Sequence, residues 1–387
     1  MPMKKSAPLF FLGLIWLILA TSPARAVVPP PPEVAAQSYL LTDLHSGKVL
    51  IEHDVDRRLP PASLTKIMTV YVVFHELAQD NLQLDDLVTV SEKAWRAPGS
   101  RMFIEVGKKI PVEKLLKGVI IQSGNDASIA LAEHIAGDET TFAELMNQYA
   151  RRLGMENTHY VNSTGLPDPE HYTTAKDLAI LTRALISQFP QYYGWFNIKE
   201  YTFNHITQHN RNLLLWRDAT VDGVKTGHTE NAGYCLVSSA QRDQMRLISV
   251  VMDTASEKAR ADASQALLNY GFRFFVTKKL YEADKPLKQI RIYKGAQQQL
   301  PVGLVRPVYV TVPKGKEDEL NTIVAPDPWV TAPMKSGEHL GKVMVRLGEK
   351  TLLESPLVAM QDIEPAGFAG RLMDEAWLLI DQWWAKR

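Results

Sequence analysis

The stretch LPPASLTKIMTVYVVF, residues 59–74, places a hydroxyl and an amine three residues apart. The apolar residues that follow Lys66 predict a buried helix, and the i,i+3 spacing puts Ser63 and Lys66 on one side of it. A lysine whose pKa is lowered by burial or by a second cation can act as the base that activates a serine. The alternative is structural: Ser63 begins the helix, and Lys66 is a solvated charge in its first turn.

Two further short motifs follow, each present once in the chain. GVIIQSGNDASIALAEHI places Ser-Gly-Asn at residues 123–125 between two apolar helical runs, where a plain helix–helix turn is the alternative. VDGVKTGHTENAGY places Lys-Thr-Gly at residues 225–227 on a predicted strand, with an exposed strand end as the alternative. Lys and Thr side chains can bind an anion, and a glycine lets a ligand approach the backbone. Three such motifs in this order favour one catalytic site.

The elements that could hold these motifs together lie before residue 287. SYLLTDLHSGKVLIEHD alternates apolar and polar residues around Ser46 and Gly47, which predicts a β-hairpin. Residues 59–190 are mainly helical in pattern, and Gly154 is typical of a helix C-terminus. Three strands and the helix EKARADASQALLNYGF are predicted after residue 222. We therefore expect an α+β domain over residues 38–286, preceded by an extended linker at 27–37.

The length and composition of the chain allow a second domain. Its 387 residues are 45% hydrophobic and 22% charged, an ordinary globular balance with room for two or three domains. Between residues 287 and 362, short apolar runs such as KQIRIYKG and PVYVTVP recur at turn-separated intervals. This pattern predicts a small β domain, either a sandwich or a barrel.

The last segment, residues 366–387, predicts an amphipathic helix. One half of its helical wheel is apolar and carries three tryptophans, the other half is polar and acidic, and Leu378 alone falls on the wrong side. The segment is too short and too charged to span a bilayer. A tryptophan-rich face followed by Lys386 and Arg387 fits a membrane interface, and the alternative is a terminal helix packed on the β domain.

The N-terminal residues predict export. Lys4 and Lys5 precede an apolar run, and Ala-Arg-Ala at residues 24–26 fits a cleavage site, so residues 1–26 have the pattern of a signal peptide. An uncleaved membrane anchor is the alternative. Without this segment the chain has 40 basic and 43 acidic residues, a net charge of −3, which gives no reason to expect a nucleic-acid partner. The only cysteine, Cys235, lies in an apolar run typical of core packing.

The three motifs are a combination found in penicillin-binding proteins and class A β-lactamases. The match to one family extends further, over APGSRMFIEVGKKIPVEKLLKGVIIQSGNDAS, NSTGLPDPEHYTTAKDLA and DGVKTGHTENAGYCLVSSAQRDQMRLISVVM. These stretches resemble D-alanyl-D-alanine carboxypeptidases of the penicillin-binding protein 5 and 6 type, peptidase family S11. The order of signal, catalytic domain, β domain and terminal helix is also similar. The resemblance implies a β-lactamase/transpeptidase-like catalytic domain with a mixed sheet and a helical cluster.

The resemblance also implies the chemistry of the first motif. Ser63 would attack the carbonyl of the penultimate D-Ala in a peptidoglycan stem pentapeptide and become acylated. Lys66 would be its general base, and Lys225 would help to keep Lys66 neutral. The oxyanion would lie between the backbone N–H groups of Ser63 and His228.

The resemblance assigns the remaining residues to proton transfer and binding. Ser123 would pass a proton to the departing D-Ala, Asn125 would bond the substrate amide, and Thr226 with Lys225 would hold the terminal carboxylate. Two arginines occupy positions similar to those that support anion binding, with plain surface arginines as the alternative. The implied site residues are Ser63, Lys66 and Ser123 for catalysis and Asn125, Lys225, Thr226, Gly227, His228, Arg211 and Arg260 for binding.

Three other functions share parts of this pattern. Class A β-lactamases use a Glu-x-x-x-Asn loop for deacylation, whereas LPDPEHYTTAKD has Glu170 but Thr174 in place of that Asn. A DD-endopeptidase would use the same chemistry, although relatives limited to that role generally lack the second domain. A non-catalytic sensor of β-lactams or wall peptides would be favoured by the loss of a motif residue, and none is lost.

No cofactor is expected. His205 and His209 are four residues apart, but NHITQHN has little helical pattern and offers no third ligand, so no metal is predicted. The expected partners are peptidoglycan stem peptides, β-lactams as inhibitors, and a membrane surface contacted by the terminal helix. The expected location is the periplasmic face of the bacterial inner membrane.

Overall fold

The structure is a computed structural model, and it describes residues 28–385. The predicted signal peptide at residues 1–26 and the terminal Lys386 and Arg387 lie outside the described residues. Strands and helices alternate up to residue 274, and mainly strands follow, so the predicted α+β class and the all-β second region are confirmed.

The first region contains the elements that surround the three motifs. Its strands are β1 (Ser38–Asp43), β2 (Val49–His53), β3 (Leu87–Thr89), β4 (Lys109–Pro111), β5 (Glu200–Phe203), β6 (Ile206–His209), β7 (Val221–Thr229), β8 (Gly233–Arg242) and β9 (Met245–Thr254). Its α-helices are α1 (Lys66–Ala78), α2 (Glu92–Trp95), α3 (Val112–Ile121), α4 (Asn125–Ala136), α5 (Glu139–Leu153), α6 (Ala175–Gln188), α7 (Pro190–Tyr193), α8 (Leu214–Arg217) and α9 (Glu257–Phe274). Short 3-10 helices span Ala62–Thr65 and Gly194–Asn197.

A five-stranded sheet in the order β2-β1-β9-β8-β7 supports this region. Its described pairings are all antiparallel rather than mixed as predicted, because short hairpins join β1 to β2 and connect β7, β8 and β9 in turn. The predicted hairpin around Ser46 and Gly47 and the three strands after residue 222 are confirmed. β7, which carries the Lys-Thr-Gly motif, lies at the edge of the sheet, so its outer side has no partner strand among the described residues.

Both faces of the sheet are buried. Successive residues of β9 alternate between two cores, with Ile248 and Val250 on the side of α1 and Leu247 and Val251 on the side of α9. Helix α1 packs against α3, α4, α5 and α6 and is buried over most of its length, as its apolar residues on all faces predict. Cys235 is buried in the same core, which confirms its structural role.

The second region begins with a strand that lies before the predicted boundary at residue 287. Its elements are β10 (Phe275–Tyr281), β11 (Pro286–Arg291), β12 (Gln299–Gly303), β13 (Val308–Pro313), a 3-10 helix (Glu317–Glu319), β14 (Leu320–Pro326), β15 (His339–Leu347), β16 (Lys350–Ala359) and α10 (Phe368–Trp384). Five strands form an antiparallel sheet in the order β11-β12-β16-β15-β14, and β10 pairs with β13. The region has its own apolar core, and its limits at 287 and 362 stay predictions.

Helix α10 contacts the β region through the face that its wheel predicts to be polar. Asp374 accepts a hydrogen bond from the backbone N–H of Lys294 at 2.6 Å, and Asp381 accepts one from the Tyr293 hydroxyl at 2.6 Å. Leu378, the one apolar residue on that face, is buried. The opposite face exposes Phe368, Leu372, Met373, Trp377, Leu379, Ile380, Trp383 and Trp384. Within residues 28–385 no helix is long and apolar enough to cross a membrane.

Candidate active site

Ser63 lies in the 3-10 helix Ala62–Thr65, directly before α1. Lys66, the first residue of α1, donates a hydrogen bond from Nζ to Ser63 Oγ at 3.0 Å. The same Nζ donates to Asn125 Oδ1 at 2.7 Å and to the Thr164 carbonyl at 2.6 Å. Because its side chain is only 1% exposed, Lys66 is not the solvated first-turn charge of the alternative interpretation.

The environment of Lys66 favours its neutral form. Burial, followed by the positive charge of Arg211, lowers the pKa of Lys66 to about 7, although two carboxylates oppose the shift. An amine with this pKa is neutral in a large fraction of molecules near neutral pH and can accept the proton of Ser63. The pKa of Lys225 is also lowered, first by burial and then by the charge of Lys66. The predicted influence of Lys225 on Lys66 stays a prediction.

The second and third motifs are joined by a hydrogen bond. Ser123 lies in the turn between α3 and α4 and has a left-handed backbone with φ 61°. Lys225 of β7 donates from Nζ to Ser123 Oγ at 3.0 Å and to the Thr226 carbonyl at 3.1 Å. A left-handed non-glycine residue is uncommon, and such residues concentrate at functional sites. The Ser-Gly-Asn turn is therefore attached to the edge of the sheet.

A cleft of about 300 Å³ opens where the three motifs meet. Seven of the ten predicted site residues line it, namely Ser63, Ser123, Arg211, Thr226, Gly227, His228 and Arg260. The other three, Lys66, Asn125 and Lys225, are buried behind its wall. The structure thus brings all ten predicted residues to one place.

The two arginines reach the cleft from different depths. Arg260 is 2% exposed and donates from Nη1 to the Gly227 carbonyl at 3.1 Å, with Nη2 at 3.5 Å from a Glu257 carboxylate oxygen. Arg211 is exposed and donates from Nη1 to Ser100 Oγ at 2.8 Å. Neither is a plain surface arginine, because both line the cleft. Their charges suit this part of the cleft to a carboxylate.

Gly227 is required by a contact within the protein. A Cβ at this position would lie 2.9 Å from the carbonyl oxygen of Pro61 and 3.2 Å from Cγ of Leu64. The Lys-Thr-Gly motif predicts that this glycine lets a ligand approach the backbone, whereas its observed neighbours belong to the segment that carries Ser63. Gly227 therefore lets β7 pack closely against the candidate nucleophile. The next residue, His228, is exposed and stacks on Tyr234.

Asp126 supports one wall of the cleft and was missed by the sequence analysis. It is 1% exposed and accepts hydrogen bonds from the backbone N–H groups of Met102 at 3.0 Å, Phe103 at 2.9 Å and Ile104 at 3.2 Å. These bonds fix the segment that carries Ser100, and Ser100 in turn accepts the hydrogen bond from Arg211. The available signal was an acidic residue directly after the Ser-Gly-Asn motif, inside an apolar helix.

The loop that follows α5 supports the site from the other side, and its role was also missed. Glu139 accepts hydrogen bonds from the backbone N–H of Ser163 at 3.1 Å and from its hydroxyl at 2.8 Å. Nδ1 of His171 accepts from the Val161 N–H, and its Nε2 lies 2.8 Å from Thr65 Oγ1, so Nε2 carries the proton. Burial lowers the pKa of His171 to about 4, which keeps this imidazole neutral near pH 7.

The residues considered for other functions lie elsewhere. Glu170 is exposed and Thr174 caps the N-terminus of α6, and neither lines the cleft. The geometry therefore does not support the deacylation loop of a class A β-lactamase. His205 and His209 lie on the β5–β6 hairpin, where their spacing is not that of a helix.

Comparison with known proteins gives matches along almost the whole chain. Residues 25–256 match the family described as D-alanyl-D-alanine carboxypeptidase, Peptidase S11, and residues 275–365 match Penicillin-binding protein 5, C-terminal domain. D-alanyl-D-alanine carboxypeptidase DacC of Escherichia coli is 42% identical over 379 residues, which cover 96% of this chain and 95% of that protein. DacA of Haemophilus influenzae is 42% identical over 356 residues, or 90% of each chain. The crystal structure of penicillin-binding protein 5 from Haemophilus influenzae superposes with a TM-score of 0.83 at 41% identity, covering 87% of this chain and 99% of that one.

Proposed function

The chain belongs to the D-alanyl-D-alanine carboxypeptidase family, and on this premise we propose that it removes the terminal D-Ala from peptidoglycan stem pentapeptides through an acyl-enzyme on Ser63. One observation carries the proposal: the buried amine of Lys66, with a pKa of about 7, lies 3.0 Å from Ser63 Oγ. A serine hydroxyl within hydrogen-bond reach of a neutral base is an activated nucleophile.

In the acylation step, neutral Lys66 takes the proton of Ser63 as Oγ attacks the carbonyl carbon of the penultimate D-Ala. The oxyanion accepts hydrogen bonds from the backbone N–H groups of Ser63 and His228. The C–N bond to the terminal D-Ala then breaks, and Ser123 relays to the leaving amine the proton that Lys66 took from Ser63, so that Lys66 is neutral again. The hydrogen bond from Lys225 to Ser123 Oγ supports this role, because it holds the hydroxyl in place at 3.0 Å.

Substrate binding uses the remaining cleft residues. The terminal carboxylate lies against Thr226, Arg211 and Arg260, with Lys225 behind them. Asn125 already donates from Nδ2 to the Pro98 carbonyl at 2.6 Å, and its second N–H proton bonds the substrate amide. Water then releases the acyl group, with Lys66 again as the base. β-Lactams acylate Ser63 by the same attack and inhibit the enzyme.

The test uses residues 27–387 with diacetyl-Lys-D-Ala-D-Ala and follows free D-alanine over time. We expect steady release by the wild-type protein and none by Ser63→Ala. Ser336→Ala, which changes an exposed serine of the β region, is the matched control and should release D-alanine at the wild-type rate. Release by Ser63→Ala at the wild-type rate would refute the assignment of the nucleophile.

We further propose that α10 attaches the protein to the periplasmic face of the inner membrane. The support is the side on which the helix docks: its acidic face contacts the β region, while Trp377 and Trp384 are 50% and 63% exposed on the other face. Packing on the β domain through the apolar face, which was the alternative, would bury these rings. An exposed tryptophan-rich face suits the interface of a bilayer.

Co-sedimentation with phosphatidylethanolamine–phosphatidylglycerol vesicles tests this attachment. We expect the full chain to pellet and the double variant Trp377→Ser, Trp384→Ser to bind at least about tenfold more weakly, because interfacial affinity scales with the apolar area inserted. Trp216→Ser, which changes a 48% exposed tryptophan of the catalytic region, is the matched control and should pellet like wild type. Equal pelleting of the double variant would contradict the proposal.

A further inference from the structure

A cavity of about 510 Å³ lies beside the catalytic cleft and has no role in the chemistry above. Three segments build it: the chain just before the nucleophile, represented by Pro60; the loop at residues 167–172; and Asn231, which follows the end of β7. The first and third segments also continue into the walls of the cleft. The cavity is therefore positioned to receive a part of the substrate that extends out of the cleft along β7.

The direction of the substrate follows from the roles proposed for β7. The terminal carboxylate lies near Thr226 and the attacked carbonyl near His228, so the substrate runs antiparallel to β7 along its unpaired outer side. The rest of the stem peptide then extends past Thr229 toward Asn231. Three residues of extended chain span about 10 Å, so the second and third residues of the stem arrive at the mouth of the cavity.

The walls of the cavity offer a fixed guanidinium. Arg58 donates from Nε and Nη2 to Asn157 Oδ1 at 3.2 and 3.0 Å, and its guanidinium lies 4.7 Å from the centre of the Tyr172 ring. Its Nη1 donates to no acceptor among residues 28–385, so it can take a ligand carboxylate. Asp168 adds one carboxylate to the wall, and this pair of opposite charges suits a peptide segment that carries both an acid and an amine.

One residue that lines the cavity, His171, is hydrogen-bonded to the segment that carries the nucleophile. His171 is 3% exposed, and both of its ring nitrogens are used within the protein, one of them with Thr65 of the 3-10 helix that holds Ser63. A peptide bound here would thus rest on the same local structure that positions the nucleophile.

We propose that this cavity binds the γ-D-glutamyl–diamino acid segment of the stem peptide, with Arg58 holding the α-carboxylate of the D-glutamyl residue. The inference rests on the proposed function, because the direction of the substrate in the cleft determines which segment reaches the cavity. Such a contact would raise kcat/KM for a full stem peptide above that for a short substrate that lacks the D-glutamyl residue.

The experiment compares diacetyl-Lys-D-Ala-D-Ala with L-Ala-γ-D-Glu-L-Lys-D-Ala-D-Ala. Arg58→Gln is expected to lower kcat/KM for the pentapeptide by about five- to tenfold, mainly through KM, and to leave the short substrate unchanged. Arg57→Gln is the matched control, because Arg57 is a neighbouring exposed arginine that pairs with Asp54 at 3.8 Å. It should change neither substrate.

A third substrate, in which the D-glutamyl α-carboxylate is an amide, isolates the proposed contact. Wild type should lose about the same factor on this substrate, and Arg58→Gln should lose no more. An equal effect of Arg58→Gln on the short and long substrates, or an effect that persists with the amide, would overturn the inference alone. Absence of D-alanine release by wild type from every substrate would instead refute the proposed function, and the inference with it.

Discussion

Replacing Asp126 by Asn should destabilise the wall of the cleft without changing its shape. Oδ1 of Asp126 accepts from the N–H groups of Met102 and Ala127, and Oδ2 accepts from those of Phe103 and Ile104. In either orientation an Asn amide turns one of these oxygens into a donor, so two N–H groups lose their acceptor. Each buried donor left without a partner costs about 1–3 kcal/mol.

The size of the effect follows from this count. Two lost acceptors would cost about 2–6 kcal/mol, and because Phe103 is 42% exposed and can turn its N–H toward water, we expect about 2–4 kcal/mol. That is a large share of the roughly 5–15 kcal/mol that stabilises a typical protein. A domain of this size should melt lower by roughly 5–15 °C, which thermal unfolding followed by circular dichroism measures.

The matched control is Asp138→Asn. Asp138 also accepts two backbone N–H groups, those of Thr140 at 2.8 Å and Thr141 at 2.9 Å, but it does so at the exposed start of α5. Water can replace a lost acceptor there, so the melting temperature should fall much less. If Asp126→Asn melted at the wild-type temperature, or no lower than the control, the assigned role of Asp126 would be wrong.

Three further changes probe the site itself. Burial and, after it, the charge of Arg211 lower the pKa of Lys66, so Arg211→Gln should raise that pKa and move the midpoint of the pH profile of acylation to higher pH; an unmoved midpoint would count against this. Gly227→Ala places a Cβ 2.9 Å from the Pro61 carbonyl oxygen and should reduce D-alanine release at least about tenfold in a folded protein; near-normal release would contradict the packing argument. The pKa of His171 falls from 6.5 to about 4 on folding, so the unfolded chain binds the proton first as the pH drops. The unfolding free energy should therefore decrease by up to about 3 kcal/mol between those two values, and His171→Gln should flatten this slope in urea titrations at several pH values.

The features that could be predicted from sequence are those carried by local spacing. The i,i+3 interval between Ser63 and Lys66 requires only one helical turn, and the alternation of apolar and polar residues around Ser46 and Gly47 requires only a hairpin. All ten predicted residues lie in the cleft or directly behind its wall, because the motifs came as a set and their resemblance to a family implied the long-range contacts.

The features that could not be predicted depend on contacts between distant segments. The Thr164 carbonyl that accepts a hydrogen bond from Lys66 lies 98 residues away in sequence. Because every residue has a backbone carbonyl, the residue type does not indicate this contact. His171 reaches Thr65 across 106 residues. The sequence also did not determine which face of α10 packs on the β region, because a helical wheel separates the apolar face from the polar face but does not identify the contact face. Leu378, the exception on the polar face, was the residue that marked the contact.

The central claim is that a neutral Lys66 activates Ser63, and its most direct test is the pH dependence of acylation. Stopped-flow mixing of residues 27–387 with a fluorescent penicillin, from about pH 5 to 9, gives the rate, and intact mass gives the covalent adduct. Below its pKa Lys66 is charged and cannot take the proton, so we predict a rate that rises with pH through a midpoint at about 7 and no adduct in Ser63→Ala. A rate that does not change with pH, or an adduct that forms on Ser63→Ala, would contradict the account.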